Sequence, residues 1–208
     1  MKELDFAALL CSRLCHDLIS PVGAISNGIE ILSTEEDEEM RVEVMKLIEH
    51  SASQTSNRLK FYRLAFGAAG GVASRVPIRD VHSAAVSLFE GTSINLEWNS
   101  EVGEVSKSIV KLILNLVLIA SESLIRGGDL TMNLKESGDK INVTVSVTAE
   151  RYILQDKVLK VLCGESTNAE GDPKIAPAYL AANVAEELNS KIEYAPKSDS
   201  SFALKVNI

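Results

Sequence analysis

Positive charge is in short supply in this chain. Lys and Arg number 21 against 29 Asp and Glu, a net charge of −8 over 208 residues. Nucleic acid and anionic membrane surfaces both reward clustered cations, so neither is an expected partner. Cysteine is also scarce. Two of the three lie in Cys11-Ser12-Arg13-Leu14-Cys15, and together they make neither a disulfide framework nor a metal-ligand spacing. No run of about 20 apolar residues is expected to span a membrane. Met1-Lys2-Glu3-Leu4-Asp5 carries acids where a signal peptide carries bases. These shortages predict a cytoplasmic protein in a reducing compartment, without a membrane segment or a metal of its own. Internal repeats and low-complexity stretches are missing too.

What is present is apolar material, 46% of the chain, which suffices for ordinary cores. The length accommodates one large domain or two small ones. From Glu3 to Leu32 the apolar residues recur at helical spacing. Ala7, Leu10, Leu14, Leu18, Pro21, Ile25, Ile29 and Leu32 fall within about 60° of one line on a 3.6-residue wheel. His16 falls roughly 160° from that stripe, among Ser12, Ser20, Gly23 and Asn27. An imidazole on a polar helix face is ordinarily a solvated side chain. Pro21 argues for more, because a proline inside a helix removes a backbone donor and costs about 3 kcal/mol.

The string His16-Asp17-Leu18-x-Ser20-Pro21-x-x-Ala24-Ile25 resembles the H-box of bacterial sensor histidine kinases. In that family the histidine is the phosphoacceptor, on the first helix of a dimeric four-helix bundle. The resemblance implies that role for His16, with Asp17 orienting the imidazole and Ser20, one turn on, positioning the phosphoryl group or water.

A second helix is expected from Glu36 to about Phe66, capped by Ser33 or Thr34, with an acidic first turn in Glu35–Glu39 that complements the helix dipole. Val44, Leu47, Ile48, Ser51, Thr55, Leu59, Tyr62 and Phe66 share one face of it. A lone hairpin of two such helices cannot cover both apolar stripes. A second copy can, giving a symmetric four-helix bundle, so a homodimer is expected. Residues 67–71, rich in Gly and Ala, then form a hinge, and the chain divides into domains at 1–70 and 71–208.

Beyond the hinge the pattern mixes strands and helices. Strands are expected at 75–78, 94–98, 130–135, 141–148, 191–195 and 202–208, and helices at 80–90, 106–126, 155–163 and 178–189. That order gives an α+β fold, with helices on one face of a mixed sheet. It resembles the ATP-binding domain of the same kinases, with three departures. Asn115-Leu116-Val117-Leu118-Ile119-Ala120 keeps the first Asn of the family's N-box and puts Ile119 where the second would hold magnesium. Thr148-Ala149-Glu150-Arg151-Tyr152 lacks the Asp that reads adenine, and Pro177 stands in what would be a glycine-rich loop.

An H-box, a hairpin with no sensor and a degenerate ATPase-like half together resemble the ChpT-type histidine phosphotransferases. The resemblance implies a phosphorelay through His16 between aspartates of receiver domains, those of a hybrid kinase and of response regulators. It implies no cofactor of the chain's own, with Mg2+ supplied by the receiver. Ile19, Gly23, Asn27, Val42 and Met45 are the candidate receiver contacts. An ATP-dependent kinase core and a non-catalytic dimeric adaptor are the alternatives. For Asn115, His50, His82, Trp98 and Cys15 structural or surface roles are expected.

Overall fold

The computed structural model describes residues 3–67, 75–165 and 172–208. The expected 67–71 hinge therefore lies mostly outside the described residues. Two long helices come first, α1 (Glu3–Thr34) and α2 (Glu38–Ala65), packed against each other as a hairpin. Asp37 caps α2, accepting from the backbone N–H groups of Glu39 and Met40, in place of the expected Ser33 or Thr34. The serine and threonine hydroxyls instead bond back to carbonyls within α1. Arg41 donates to the carbonyls of Leu32 and Glu35, satisfying acceptors that the end of α1 leaves open. Gly28 allows the close approach of the two helices. A Cβ there would lie 2.6 Å from Ile48 Cγ1.

The remaining elements are β1 (Arg75–Pro77), α3 (Ile78–Phe89), β2 (Ile94–Ser100), β3 (Glu104–Ser106), α4 (Lys107–Glu122), β4 (Gly128–Ser137) and β5 (Lys140–Thr148). After them come α5 (Asp156–Leu162), a 3₁₀ turn at Pro173–Ile175, α6 (Ala176–Glu187), β6 (Glu193–Ser198) and β7 (Ser201–Asn207). Five strands form a mixed sheet in the order β2-β4-β5-β7-β6, with β2 and β4 parallel and the other pairs antiparallel. β1 and β3 make a separate antiparallel pair.

Alternation decides the two faces of the sheet. Leu130, Met132, Leu134, Val143, Val145 and Val147 point inward and are fully buried or nearly so. Asn95, Glu97, Asn99, Asp129, Thr131 and Asn133 form a hydrogen-bonded polar ladder on the other face. α4 covers the inner face, buried from Leu112 through Ser121, and α6 packs against it. The protein is α+β, as its element order implies.

The sheet-and-helix layer also touches the hairpin. α2 packs on α3 and α4, and Phe61, Tyr62 and Ala65 join the core cluster. α1 lies against the 3₁₀ turn and α6. These contacts cover one side of the hairpin and leave Leu4, Ile19, Val22, Ile29, Leu47 and Leu59 exposed on others. By length and composition alone Leu4–Thr34 could cross a membrane, where no such stretch was expected. Within it, Arg13 and Asp17 are engaged in polar contacts with the rest of the protein.

Candidate phosphotransfer site

His16 stands on an exposed edge of α1 with its side chain 60% accessible. Its Nδ1 lies 2.9 Å from Oδ1 of Asp17. An ionised carboxylate can only accept, so Nδ1 carries the hydrogen and donates it. The lone pair is then on Nε2, in a side chain open to solvent. Hydrogen bonding on one ring nitrogen thus selects the tautomer and leaves Nε2 as the nitrogen with a free lone pair.

Asp17 is held from behind. Its Oδ2 accepts from Arg13 Nε at 2.7 Å and from the hydroxyl of Tyr62 on α2. Burial works to raise the Asp17 carboxyl, but the hydrogen bonds from His16 and Tyr62 and the charge of Arg13 outweigh it and hold it below the ordinary carboxylate range. Burial and the Asp17 charge push the Tyr62 phenol up, so it remains a donor at neutral pH. Tyr62 is itself fixed by stacking on Phe66, with centroids 4.9 Å apart. Arg13 is 5% exposed and also donates through one Nη to Glu122 at the end of α4. Burial alone would lower its guanidinium; the two carboxylates more than offset that.

Pro21 fits this arrangement. A proline gives no N–H to the carbonyl four residues earlier, which here is that of Asp17. Arg58 of α2 donates to that freed carbonyl. The helix continues through Pro21 to Thr34, and the otherwise unsatisfied acceptor becomes a tie between the helices beside the histidine.

Ile19, Ser20 and Asn27 are exposed, and a Cβ built on Gly23 would meet nothing within 4 Å. Val42 and Met45 are exposed but distant from His16. Gly28 faces Ile48 and Val44, which places that part of α2 roughly 18 Å along the axis from the histidine at 1.5 Å per residue. The other imidazoles have different company. His50 Nε2 pairs with Gln54 at 2.9 Å, and His82 packs on the Trp98 ring at 5.3 Å. Among the described residues, only His16 has a carboxylate beside its ring.

Arg13, Arg58, Tyr62 and Glu122 were not among the candidates read from sequence. Arg13 is four residues before Asp17, an (i, i+4) spacing that flags an ion pair. Tyr62 and Arg58 require the hairpin register, and Glu122 requires the tertiary fold.

Among the described residues, the three positions that resemble kinase nucleotide contacts are occupied by groups that do not suit magnesium nucleotide. Ile119 is buried in the core and offers no oxygen to a hard cation. Pro177 is buried at the start of α6, and Asn115 is turned inward onto backbone carbonyls.

The model of the histidine phosphotransferase C-terminal domain matches residues 78–200. Protein phosphotransferase ChpT of Brucella abortus (strain 2308) is 35% identical over 192 residues, which is 92% of this chain and 90% of that one. A solved bacterial phosphotransferase superposes with a TM-score of 0.87 at 32% identity, covering 99% of this chain and 97% of that one. The histidine kinase AdeS of Acinetobacter baumannii shares the fold, with a TM-score of 0.50 at 11% identity over 93% of this chain and 96% of that one.

Proposed function

The chain belongs to the histidine phosphotransferase family, and on that premise we propose that it relays a phosphoryl group through His16 between the aspartates of two receiver domains. The observation that carries this reading is the 2.9 Å contact of His16 Nδ1 with Asp17 Oδ1, in a side chain that is otherwise open to solvent.

The Nε2 lone pair attacks phosphorus of an aspartyl phosphate on the donor receiver. The N–P bond forms as the P–O bond to the aspartate breaks, and the carboxylate leaves with the electron pair. Nδ1 keeps its hydrogen throughout, so the phosphorylated ring carries positive charge, and Asp17 lies against that charge. In the second step an acceptor carboxylate attacks phosphorus and the N–P electrons return to Nε2. Such transfers pass through loose, in-line states governed by positioning and charge neutralisation. Magnesium held by the receiver, where bound, would neutralise the phosphoryl oxygens.

Ser20, one turn from His16, is suited to positioning the phosphoryl group or a water. Ile19, Gly23 and Asn27 offer an exposed, uncrowded face to a receiver. Val42 and Met45 join that contact only for a partner that extends along the hairpin. A second copy of the chain covers the exposed apolar residues of α1 and α2 and completes a four-helix bundle. Residues 1–70 act as the phosphotransfer and dimerisation unit and 71–208 as an ATPase-like unit without kinase activity, in the cytoplasm.

The test is transfer itself. A receiver domain carrying labelled aspartyl phosphate is mixed with the protein, and label is expected to move onto this chain and then onto a second receiver. A chain that stays unlabelled while its receivers exchange nothing overturns the proposal.

A further inference from the structure

Arg13 presents only part of its guanidinium to Asp17. Nε donates to Oδ2, while Nη2 turns to Oε1 of Glu122. Guanidinium and carboxylate ordinarily pair through two parallel hydrogen bonds, using both carboxylate oxygens. Here that fork does not close. Asp17 spends Oδ2 on Arg13 and Tyr62 and keeps Oδ1 for His16. Glu122 draws toward itself the arm that would otherwise reach for Oδ1.

Resting on the relay reading above, we propose that Glu122 is a positioning residue for His16. By drawing Arg13 Nη2 toward its own carboxylate, it disfavours a two-pronged Arg13–Asp17 pair and leaves Asp17 Oδ1 to fix the Nδ1–H form of the imidazole. The residue lies on α4, in the ATPase-like half, and 109 positions from Arg13. That half therefore contributes to the reactivity of the histidine as well as to the fold. Without Glu122 the buried guanidinium loses one of its two anionic partners. The second bond to Asp17 then becomes its nearest compensation, and the histidine loses its acceptor.

The experiment uses full-length protein with 15N-labelled histidine. Ring-nitrogen shifts assigned against His16→Ala report the tautomer, and transfer from a phosphorylated receiver domain is timed in parallel. The unaltered protein is expected in the Nδ1–H form. Glu122→Ala should mix the tautomers and slow maximal transfer on the order of tenfold, with the half-saturating receiver concentration unchanged. Glu122→Leu, which keeps the length of the chain and removes the acceptor, is read beside it in case the smaller residue does not fold. Glu122→Gln retains an acceptor oxygen and should restore both readouts. In an Arg13→Met background, Glu122→Ala should add nothing, because its path runs through Arg13.

An Nδ1–H tautomer and full rate in folded Glu122→Ala or Glu122→Leu overturn the inference, as does additivity with Arg13→Met. Failure of the relay reading looks different. His16→Ala would then take up label normally, whatever the tautomer data say.

Discussion

The side-chain amide of Asn115, in the middle of α4, donates to the carbonyl oxygen of Ala65 at the end of α2, 3.0 Å away. A second donation reaches the carbonyl of Lys111 at 2.7 Å. Asn115 thus serves as a strut between the hairpin and the layer beneath the sheet. Ile119, one turn further, is buried. Magnesium requires oxygen ligands, so calorimetry with Mg-ATP should give no saturable heat at millimolar nucleotide. A micromolar dissociation constant would restore the kinase alternative.

Asp17→Asn should slow phosphoryl transfer. The amide cannot serve His16 and Arg13 as a carboxylate does, and a hydrogen bond to a charged group is worth about 1.5–3 kcal/mol. Single-turnover rates are expected to fall roughly 10- to 100-fold. Tyr62→Phe removes one donor to Asp17 Oδ2, keeps Arg13, and should cost less. Equal rates for Asp17→Asn and the unaltered protein would contradict the orienting role.

The same carboxylate predicts an acid limb of stability. The folded Asp17 carboxyl is depressed, by hydrogen bonds from His16 and Tyr62 and the charge of Arg13 acting against burial. A depressed acid stabilises the fold above its unfolded value of about 3.9. That contribution is lost as pH falls through the lower folded value. Urea midpoints should separate the unaltered protein from Asp17→Asn most above about pH 4, with the gap closing below. A gap that widens with acid would contradict the assignment.

Assembly is read from the uncovered hairpin. Ile25 is only half-buried in the single chain. Ile25→Glu would place an unpaired carboxylate in the proposed seam at a cost of several kcal/mol. Light scattering should find a dimer for the unaltered protein and a monomer or unfolded chain for the variant. A stable monomer of the unaltered protein would contradict the four-helix arrangement.

Periodicity made α1 and α2 legible to within about three residues, because one apolar stripe per helix is a strong local signal. The strands of the main sheet were legible for a similar reason, since Ile141–Thr148 alternates cleanly. β3, three residues long, was not, and its pairing with β1 is a tertiary event. At the site, His16 and Asp17 could be named from their motif. Arg58 and Tyr62 could not, because their roles depend on which residues of α2 face Asp17. Pro21 was legible as an anomaly, while its partner Arg58 appeared only with the hairpin register. Val42 and Met45 were grouped with His16 by exposure and apolar character, which carry no information about position along the bundle.

Whether His16 carries the phosphoryl group is decided by locating the label. After incubation with a phosphorylated receiver, acid-labile, base-stable phosphate should map to His16. It should vanish in His16→Ala without loss of the fold, and persist in His50→Ala and His82→Ala. Normal labelling of His16→Ala would contradict the account.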